Sequence, residues 1–311
     1  MTTLMWMQTG ACSGESMALL CADRPNLENL LRQYAIDLLW HPSLTVGDGF
    51  GAVLARVLSG DIPLDILCIE GSLMTGPNGT GQFDTFKGRA KIDIVRELAP
   101  RARHVVAMGT CAAFGGVHAS GPNPTDCTGL QFRRDQPGGL LGADWRAASG
   151  QPVINVAGCP AHPNTMTKVL ALLASGETLP LDALNRPAPF FASLVHQGCT
   201  RNEYHEYDIE EESFGGRGCM FFSLGCRGPQ TVAPCNSDLW NGHSSKTRAG
   251  VPCFGCTSPD FPPERDLFVT PRIGAVPKFL PLGVARAKYM AYKNLARAAA
   301  PERVVKREME P

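Results

Sequence analysis

Short apolar runs alternate with amphipathic stretches through the first half of the chain. Five runs have the length and the aliphatic content of buried strands, and they lie at residues 4–8, 35–40, 65–69, 104–108 and 152–156. Four stretches repeat apolar residues with helical spacing, at residues 16–34, 49–58, 91–98 and 164–175. Strands that alternate with helices predict an open parallel β-sheet with helices on both faces.

Three cysteines follow three of these predicted strands. Cys12 comes after the first strand, Cys111 after the fourth and Cys159 after the fifth. Functional groups of such a sheet lie in the loops beyond the carboxyl ends of its strands, so the topology brings the three thiols to one edge. Iron–sulfur clusters are held by thiolates gathered from separate positions. The sequence therefore predicts a cluster site at this edge.

The second half of the chain loses the regular periodicity. Between His196 and Cys256 glycine and proline are frequent, and six cysteines fall within the same 61 residues. These cysteines are Cys199, Cys219, Cys226, Cys235, Cys253 and Cys256. Apolar packing alone is not expected to hold such a segment, so its density of cysteines predicts a chemical cross-link.

Three kinds of cross-link are possible for this segment. Disulfides are disfavoured, because the 311-residue chain begins with M-T-T-L-M-W and shows no charged and apolar signal segment. Structural zinc stays open, with Cys253 and Cys256 as a C-x-x-C pair and His196 with Cys199 as a second half. Iron–sulfur clusters fit best, since they accept irregular spacing and, in some types, a histidine ligand.

Composition limits the remaining functions. With 44% hydrophobic and 19% charged residues the chain can bury a sizeable core. A formal net charge of zero gives no basis for binding nucleic acid. No apolar run has the length needed to span a bilayer.

Two domains are expected, at residues 1–180 and 181–311, because the proline-rich segment 176–189 separates the two patterns. The tail from residue 284 combines alanines with partly periodic apolar residues and predicts a basic helix with a solvated face. Docking on a partner subunit or an anionic membrane surface is the alternative interpretation of this helix. Its cations are Arg286, Lys288, Lys293, Arg297, Arg303, Lys306 and Arg307.

The ordered motifs carry a specific resemblance. The chain reads H-Q-G-C at 196–199, C-M-F-F-S-L-G-C at 219–226, and C-F-G-C-T-S-P-D-F-P from residue 253. The first half adds E-G-S at 70–72, G-T-C-A-A-F-G-G around Cys111 and V-A-G-C-P-A-H-P around Cys159. Together these motifs closely resemble the small, electron-transferring subunit of nickel–iron hydrogenases, in particular cytoplasmic uptake-type subunits without a twin-arginine signal.

The resemblance implies a flavodoxin-like domain followed by a loop-rich cluster domain. It implies three iron–sulfur clusters with distinct ligands. A proximal cluster takes Cys12, Cys111 and Cys159; a medial 3Fe–4S cluster takes Cys235, Cys253 and Cys256; and a distal 4Fe–4S cluster takes His196, Cys199, Cys219 and Cys226. The distal cluster is expected to be 3Fe–4S instead if His196 is not a ligand.

The first motif departs from the family pattern. The family usually has C-x-G-C there, whereas this chain has Cys12-Ser13-Gly14-Glu15. A three-iron proximal cluster with an empty corner is the preferred expectation, because a carboxylate is a weaker partner for sulfide-bridged iron than a thiolate. A 4Fe–4S cluster with Glu15 as an oxygen ligand is the alternative.

The resemblance also implies the function. Hydrogen is expected to be cleaved at a nickel–iron centre on a separate large subunit, and this chain, which has no catalytic residue of its own, relays the electrons to a quinone or a carrier protein. A dimer of heterodimers or a larger assembly is expected, in the cytoplasm or peripheral to the inner face of the membrane. Two alternatives stay open, the cluster subunit of another respiratory oxidoreductase such as complex I and a non-enzymatic scaffold stabilised by zinc.

Overall fold

The computed structural model describes residues 1–298 except 47, 48, 208 and 275. These residues form two compact units. The first comprises Met1–Phe191 together with Cys256–Glu264, and the second comprises Ala192–Gly255 and the chain from Arg265 onward. The sequence predicts a boundary at 180/181, whereas the chain of the structure leaves the first unit after Phe191 and returns to it at Cys256.

A five-stranded parallel sheet forms the centre of the first unit. Its strands are β1 (Thr2–Gln8), β2 (Ile36–Trp40), β3 (Leu64–Glu70), β4 (Ala102–Met108) and β5 (Ile154–Val156). They are ordered β5-β4-β3-β1-β2, and each neighbouring pair is parallel. This is the flavodoxin-like order, and it confirms the predicted α/β fold class.

The interior strands are apolar on both faces, as expected for a sheet that is covered by helices on each side. Ile66, Leu67 and Ile69 of β3 are completely buried, and so are Val105 and Val106 of β4. Burying each such side chain contributes about 1.5–3 kcal/mol to folding. The sheet is therefore a stable platform for the loops at its ends.

Six helices accompany the sheet. They are α1 (Gly14–Leu20), α2 (Leu27–Gln33), α3 (Gly49–Ser59), α4 (Lys91–Leu98), α5 (Gly109–Phe114) and α6 (Pro163–Ala174). The single helix predicted at 16–34 is wrong, because Pro25 cannot continue a helix. Asn26 then begins α2, and its side chain accepts a hydrogen bond from the main-chain N–H of Asn29 at 2.8 Å.

Short elements complete the first unit. Two-residue antiparallel ladders join Leu73–Met74 to Cys127–Thr128, Thr85–Phe86 to Arg89–Ala90, and Phe132–Arg133 to Gln136–Pro137. Turns of 3-10 helix occur at Ala99–Arg101 and Gly116–Ala119. These pieces lie in the loops that follow β3 and β4.

The second unit has little regular structure. It contains α7 (Asn202–Glu206), α8 (Arg286–Ala298), 3-10 turns at Val195–Gly198 and Gly228–Gln230, and a ladder between Arg272–Ile273 and Val276–Pro277. One small apolar cluster joins Cys219, Phe221 and Phe222 to Tyr289 of α8. The predicted tail cations Arg303, Lys306 and Arg307 lie outside the described residues. Within residues 1–298, leaving out the four positions named above, no helix is long and apolar enough to cross a membrane.

Candidate metal centres

The three cysteines that follow strands of the first unit form one group. Cys12 lies in the loop after β1, Cys111 in the first turn of α5 and Cys159 in the loop after β5. Burial, together with the smaller effects of the charges of Glu15 and of the other two thiols, raises the pKa of the Cys111 thiol to about 12. The three thiols therefore lie near enough to one another to interact electrostatically.

The Cys111 sulfur has a closely packed environment. It lies 2.6 Å from the position that a Cβ would take on Gly116, so any larger residue there would displace the sulfur. The φ angle of Gly116 is +55°, a conformation that favours glycine. Glycine is therefore favoured at position 116 for two reasons, the space that the thiol needs and the positive φ angle.

Glu15 is buried in the first helical turn of α1, where its side chain is 4% exposed. A carboxyl oxygen of Glu15 would collide with a Cβ on Gly109, so only glycine fits beneath it. Burial raises the pKa of Glu15 to about 8, and the charge of Glu70 and a hydrogen bond shared with that residue act in the same direction. The Glu15 carboxyl is therefore protonated at neutral pH.

Glu70 ends β3 and is completely buried. Its carboxylate accepts hydrogen bonds from Trp6 Nε1 at 2.8 Å, from Gln8 Nε2 at 3.0 Å and from Ser16 Oγ at 2.5 Å. The main-chain N–H of Ser16 adds a fourth at 3.2 Å. Buried carboxylates need such donors to offset the loss of water. Glu70 thus ties β1 and the start of α1 together behind the cysteine group.

Thr110 connects the loops of three predicted ligands. Its hydroxyl accepts a hydrogen bond from the Gly158 N–H at 2.9 Å and donates to the carbonyl of Cys256 at 2.5 Å. Thr110 immediately precedes Cys111, and Gly158 immediately precedes Cys159. One buried hydroxyl therefore fixes two proximal ligand loops to the main chain of a predicted medial ligand.

The segment Cys256–Glu264 is held on the first unit by two arginines. Arg186 Nη1 donates to the carbonyl of Thr257 at 3.3 Å, and its guanidinium also pairs with a carboxylate at 2.8 Å. Arg134 donates through both Nη atoms to three successive carbonyls, at residues 260, 261 and 262. The backbone position of Cys256 is fixed by these bonds.

The other two predicted medial ligands lie in the second unit. Cys253 is buried in an apolar cluster with Val195 and Ala233, and Cys235 and Cys226 pack against the same cluster. The structure therefore gathers Cys235 and Cys253 around one small core. The sequence alone gives no reason why a thiol predicted as a distal ligand, Cys226, should share it.

The four predicted distal residues line one cavity. They are His196, Cys199, Cys219 and Cys226, and the space that they border is partly open to solvent. In the described part of the chain, no three His, Cys, Asp or Glu side chains meet closely enough to hold a single metal ion. Here the imidazole and the thiols surround a volume, an arrangement that suits a polynuclear iron–sulfur group.

The protonation states at this cavity also suit a metal. Burial lowers the pKa of His196, which favours the neutral imidazole, the form in which histidine binds metals. Burial raises the pKa of Cys219 and of Cys226 to about 12. An isolated thiol would stay protonated here, whereas a bound iron would supply the positive charge that ionises it. The residues present thus fit a cluster.

Three cysteines stand apart from these groups. Cys21 is exposed after α1, Cys68 is buried in β3, and Cys127 is buried in a two-residue ladder. Burial raises the pKa of Cys68. The Cys127 sulfur accepts a weak hydrogen bond from Ser72 Oγ at 3.4 Å. These environments are those of packing or incidental residues.

Sequence reasoning overlooked several polar residues around the thiols. Trp6 and Gln8 are two positions apart on β1 and therefore lie on the same face of the sheet, which is a signal in the sequence for a common partner. Thr110 and Arg201 each lie within two residues of a predicted ligand. Their partners are distant in sequence, 146 residues for Thr110 and Cys256, so no local pattern identifies them.

Two family descriptions match the chain. Residues 12–173 match "NADH ubiquinone oxidoreductase, 20 Kd subunit", and residues 191–269 match the C-terminal part of the "NiFe/NiFeSe hydrogenase small subunit". The second match spans all of the predicted medial and distal ligands. A respiratory complex I subunit is expected to lack that region, so the two matches together favour the hydrogenase family over this alternative.

Individual proteins agree with these descriptions. The chain is 33% identical over 298 residues to the F420 non-reducing hydrogenase II small subunit of Methanosarcina mazei, covering 86% of this chain and 75% of the relative. It is 29% identical to the quinone-reactive Ni/Fe-hydrogenase small chain of Wolinella succinogenes, covering 83% and 71%. A solved structure, the actinobacterial-type NiFe-hydrogenase from Ralstonia eutropha H16, has a TM-score of 0.79 and 30% identity, covering 100% of this chain and 92% of that one.

Proposed function

This chain belongs to the family of nickel–iron hydrogenase small subunits, the electron-transfer subunits of heteromeric hydrogenases, and on that premise we propose that it serves an uptake enzyme through three iron–sulfur clusters. The observation that carries the proposal is the distal cavity, where a neutral imidazole and three thiols surround one space. A nickel–iron centre on a large subunit supplies the hydrogen chemistry. The family makes a dimer of such heterodimers, or a larger assembly, the proposed form.

The chain's own residues divide into three ligand sets under this proposal. Cys12, Cys111 and Cys159 hold a proximal cluster, and Cys235, Cys253 and Cys256 hold a medial 3Fe–4S cluster. His196, Cys199, Cys219 and Cys226 hold a distal 4Fe–4S cluster, or a 3Fe–4S cluster if the imidazole does not ligate. When bound, such clusters accept and release single electrons at potentials that the protein tunes.

We propose a three-iron proximal cluster. The Glu15 carboxyl is protonated at neutral pH, lies over Gly109 and shares a hydrogen bond with Glu70. A carboxylate is a weaker partner for sulfide-bridged iron than a thiolate, and ligation would cost Glu15 its hydrogen bond to Glu70, so Glu15 is disfavoured as an oxygen ligand. A carboxylate-ligated 4Fe–4S cluster is the alternative, and it requires Glu15 to lose both the proton and the bond to Glu70.

The proposed electron acceptor is a quinone. The type of cluster is one of the factors that set the potential, and we propose that the 3Fe–4S proximal cluster is reduced at a higher potential than a 4Fe–4S cluster would be. A relay of higher potential suits hydrogen oxidation and an acceptor such as a quinone, and one relative carries the name quinone-reactive. A carrier protein is the alternative acceptor. The cytoplasmic location, peripheral to the inner face of the membrane, stays a prediction.

The test begins with the chain co-expressed with its large subunit and purified without oxygen. Iron and zinc analysis, Mössbauer spectra and hydrogen-dependent reduction of a soluble quinone are measured on this complex. We expect iron without stoichiometric zinc, spectra of two three-iron clusters and one four-iron cluster, and quinone reduction. Zinc in place of iron would contradict the proposal and favour the scaffold alternative.

Two variants test the finer assignments. Glu15→Cys is expected to convert the proximal spectrum to 4Fe–4S and to lower its potential, and a proximal 4Fe–4S centre already present in the wild type would contradict the three-iron assignment. His196→Ala is expected to slow reduction of dyes while hydrogen–deuterium exchange at the large subunit persists. Equal loss of both activities would show a role in assembly instead.

A further inference from the structure

A buried arginine lies beside the thiols of the distal cavity. Arg201 is 8% exposed and lines the cavity with His196, Cys199 and Cys219. Its main-chain N–H donates to the Cys199 sulfur at 3.4 Å. Because a guanidinium stays charged at any pH that a folded protein meets, a permanent positive charge is fixed at this cavity.

Main-chain carbonyls hold the Arg201 side chain in place. Its Nε donates to the carbonyl of Thr247 at 2.6 Å, and its Nη1 donates to the carbonyl of Gly218 at 2.7 Å. The Thr247 hydroxyl in turn donates to Asn236 Oδ1 at 3.1 Å, and Asn236 Nδ2 donates to the carbonyl of Val195 at 2.7 Å. All of these residues are buried or partly buried, so the guanidinium has little freedom to turn towards solvent.

Main-chain carbonyls accept the hydrogen bonds of the Arg201 guanidinium. Throughout the part of the chain that the structure describes, no carboxylate forms an ion pair with this guanidinium. Carbonyl dipoles satisfy its donors but do not neutralise it, and burial of an uncompensated charge opposes folding. The thiols that share the cavity are the groups able to supply the negative charge.

The electrostatics of Cys219 show this coupling. Burial is the largest cause that raises its pKa, to about 12; the main-chain N–H of Phe221 lowers it, the charges of Cys199 and Glu210 raise it, and Arg201 lowers it with a smaller effect. Glu210 is partly exposed and lies 3.7 Å from Arg272, so part of its charge is screened. The charge of Arg201 therefore lies near enough to this predicted ligand to act on it.

We propose that Arg201 is the counter-ion of the distal cluster and that its charge makes the cluster easier to reduce. This inference rests on the proposed function, since it requires a cluster in the distal cavity. Three thiolates give the site a negative charge that one further electron increases. A buried cation therefore stabilises the reduced state more than the oxidised state, and the potential rises.

The experiment is a redox titration of the assembled, cluster-loaded complex, followed by the electron paramagnetic resonance signal of the distal cluster. Arg201→Gln keeps hydrogen-bond donors but removes the charge, and Arg201→Lys keeps a charge. Arg272→Gln is the matched control, because Arg272 also donates to a carbonyl close to Cys219, that of Phe222, but is partly exposed.

We expect Arg201→Gln to lower the ratio of reduced to oxidised distal cluster at the wild-type midpoint by about tenfold, which for one electron is about 59 mV. Arg201→Lys is expected to restore most of that ratio, and Arg272→Gln to change it less, because solvent screens exposed charges. An unshifted Arg201→Gln potential, or equal shifts in the glutamine and lysine variants, would overturn the role of the charge.

Failure to assemble also gives a result. If Arg201→Gln loses the distal signal and Arg201→Lys keeps it, the charge is required to hold the cluster and the inference stands. If both variants lose the signal, it is overturned, because geometry and not charge is then decisive. A wild-type complex with no distal cluster signal would refute the proposed function itself, whereas a wild-type signal with an unshifted glutamine variant refutes only the counter-ion.

Discussion

The two units of this chain hold their cysteines by different means. In the first unit the thiols of Cys12, Cys111 and Cys159 follow strands of a hydrogen-bonded sheet whose interior is fully buried. In the second unit the predicted ligands lie in loops, and the apolar clusters contain two of them, Cys219 in one and Cys253 in another. Hydrogen-bonded strands therefore position the three thiols of the first unit. The fold of the second unit is expected to depend on the group that its thiols bind.

The charges beside the two groups differ as well. The first unit places two carboxyl groups behind the thiols, those of Glu15 and Glu70, whereas the second places Arg201 among them. A cation at the distal end favours a reduced cluster there more than carboxyl groups do at the proximal end. This difference in charge favours electron transfer from the proximal cluster to the distal cluster, which is the proposed direction.

Removal of iron should produce the largest difference in amide protection between the two units. We expect the iron-free second unit to lose amide protection throughout residues 192–255, because its small apolar clusters cannot replace the cluster bonds. Strands β1, β3 and β4 should keep theirs. Hydrogen–deuterium exchange with mass spectrometry, on the complex before and after anaerobic chelation, measures both regions at once. Similar loss of amide protection in the two units would show that both depend on iron to the same degree.

Loss of the Glu70 carboxylate should be the largest effect of a single substitution in the first unit. Glu70→Leu removes the acceptor of the Trp6 indole and of the Ser16 hydroxyl, at about 1–3 kcal/mol for each unsatisfied group, whereas Gln8 keeps Ser13 Oγ as an acceptor. We expect the free energy of unfolding to fall by about 4 kcal/mol, seen as a lower melting temperature of the complex. Glu70→Gln, which keeps an acceptor oxygen, should lose much less; equal losses would show that the hydrogen bonds matter little.

The raised pKa of Glu15 predicts a pH dependence of stability. The unfolded carboxyl ionises near pH 4.5 and the folded one near 8, so the folded state binds the extra proton between these values. The contribution of the Glu15 proton to the free energy of unfolding is fully present below pH 4.5 and is lost as the pH rises towards 8. Relative to Glu15→Gln, the free energy of unfolding of the wild-type complex should fall by about 2.5 kcal/mol between about pH 5 and pH 7.

Melting temperatures of the wild type and the Glu15→Gln variant across this range test the sign. The glutamine variant lacks the titrating proton and serves as the reference at each pH. A wild-type stability that rises with pH relative to this reference would show that Glu15 is ionised in the folded protein, and would favour its role as an iron ligand.

The hydroxyl of Thr110 should have the smallest of these effects. Thr110→Val keeps the shape but leaves the Gly158 N–H and the Cys256 carbonyl without a partner, so we expect a loss of about 2 kcal/mol. Amide exchange should rise in the segment Cys256–Glu264, and Thr110→Ser, which keeps the hydroxyl, should behave as the wild type. Unchanged exchange of that segment in Thr110→Val would show that Arg134 and Arg186 hold it unaided.

Much of the first unit can be predicted from sequence. The five strands and α3, α4 and α6 lie within about two residues of their predicted positions, because apolar periodicity directly reflects burial. The break between α1 and α2 escapes this reasoning although Pro25 and Asn26 mark it, since the helical periodicity around them is continuous. The second unit offers no periodicity, so only the order of its cysteines and their resemblance to a family give them a meaning.

Local patterns in the sequence are enough to predict most of the elements and to show which thiols follow the strands. The order of its motifs is enough to indicate the family. Only the tertiary structure decided that Glu15 contacts Glu70, that Thr110 reaches Cys256 and that Arg201 lines the distal cavity. Such contacts join residues that are distant along the chain. Their energies depend on burial and on short distances, which exist only once the chain has folded.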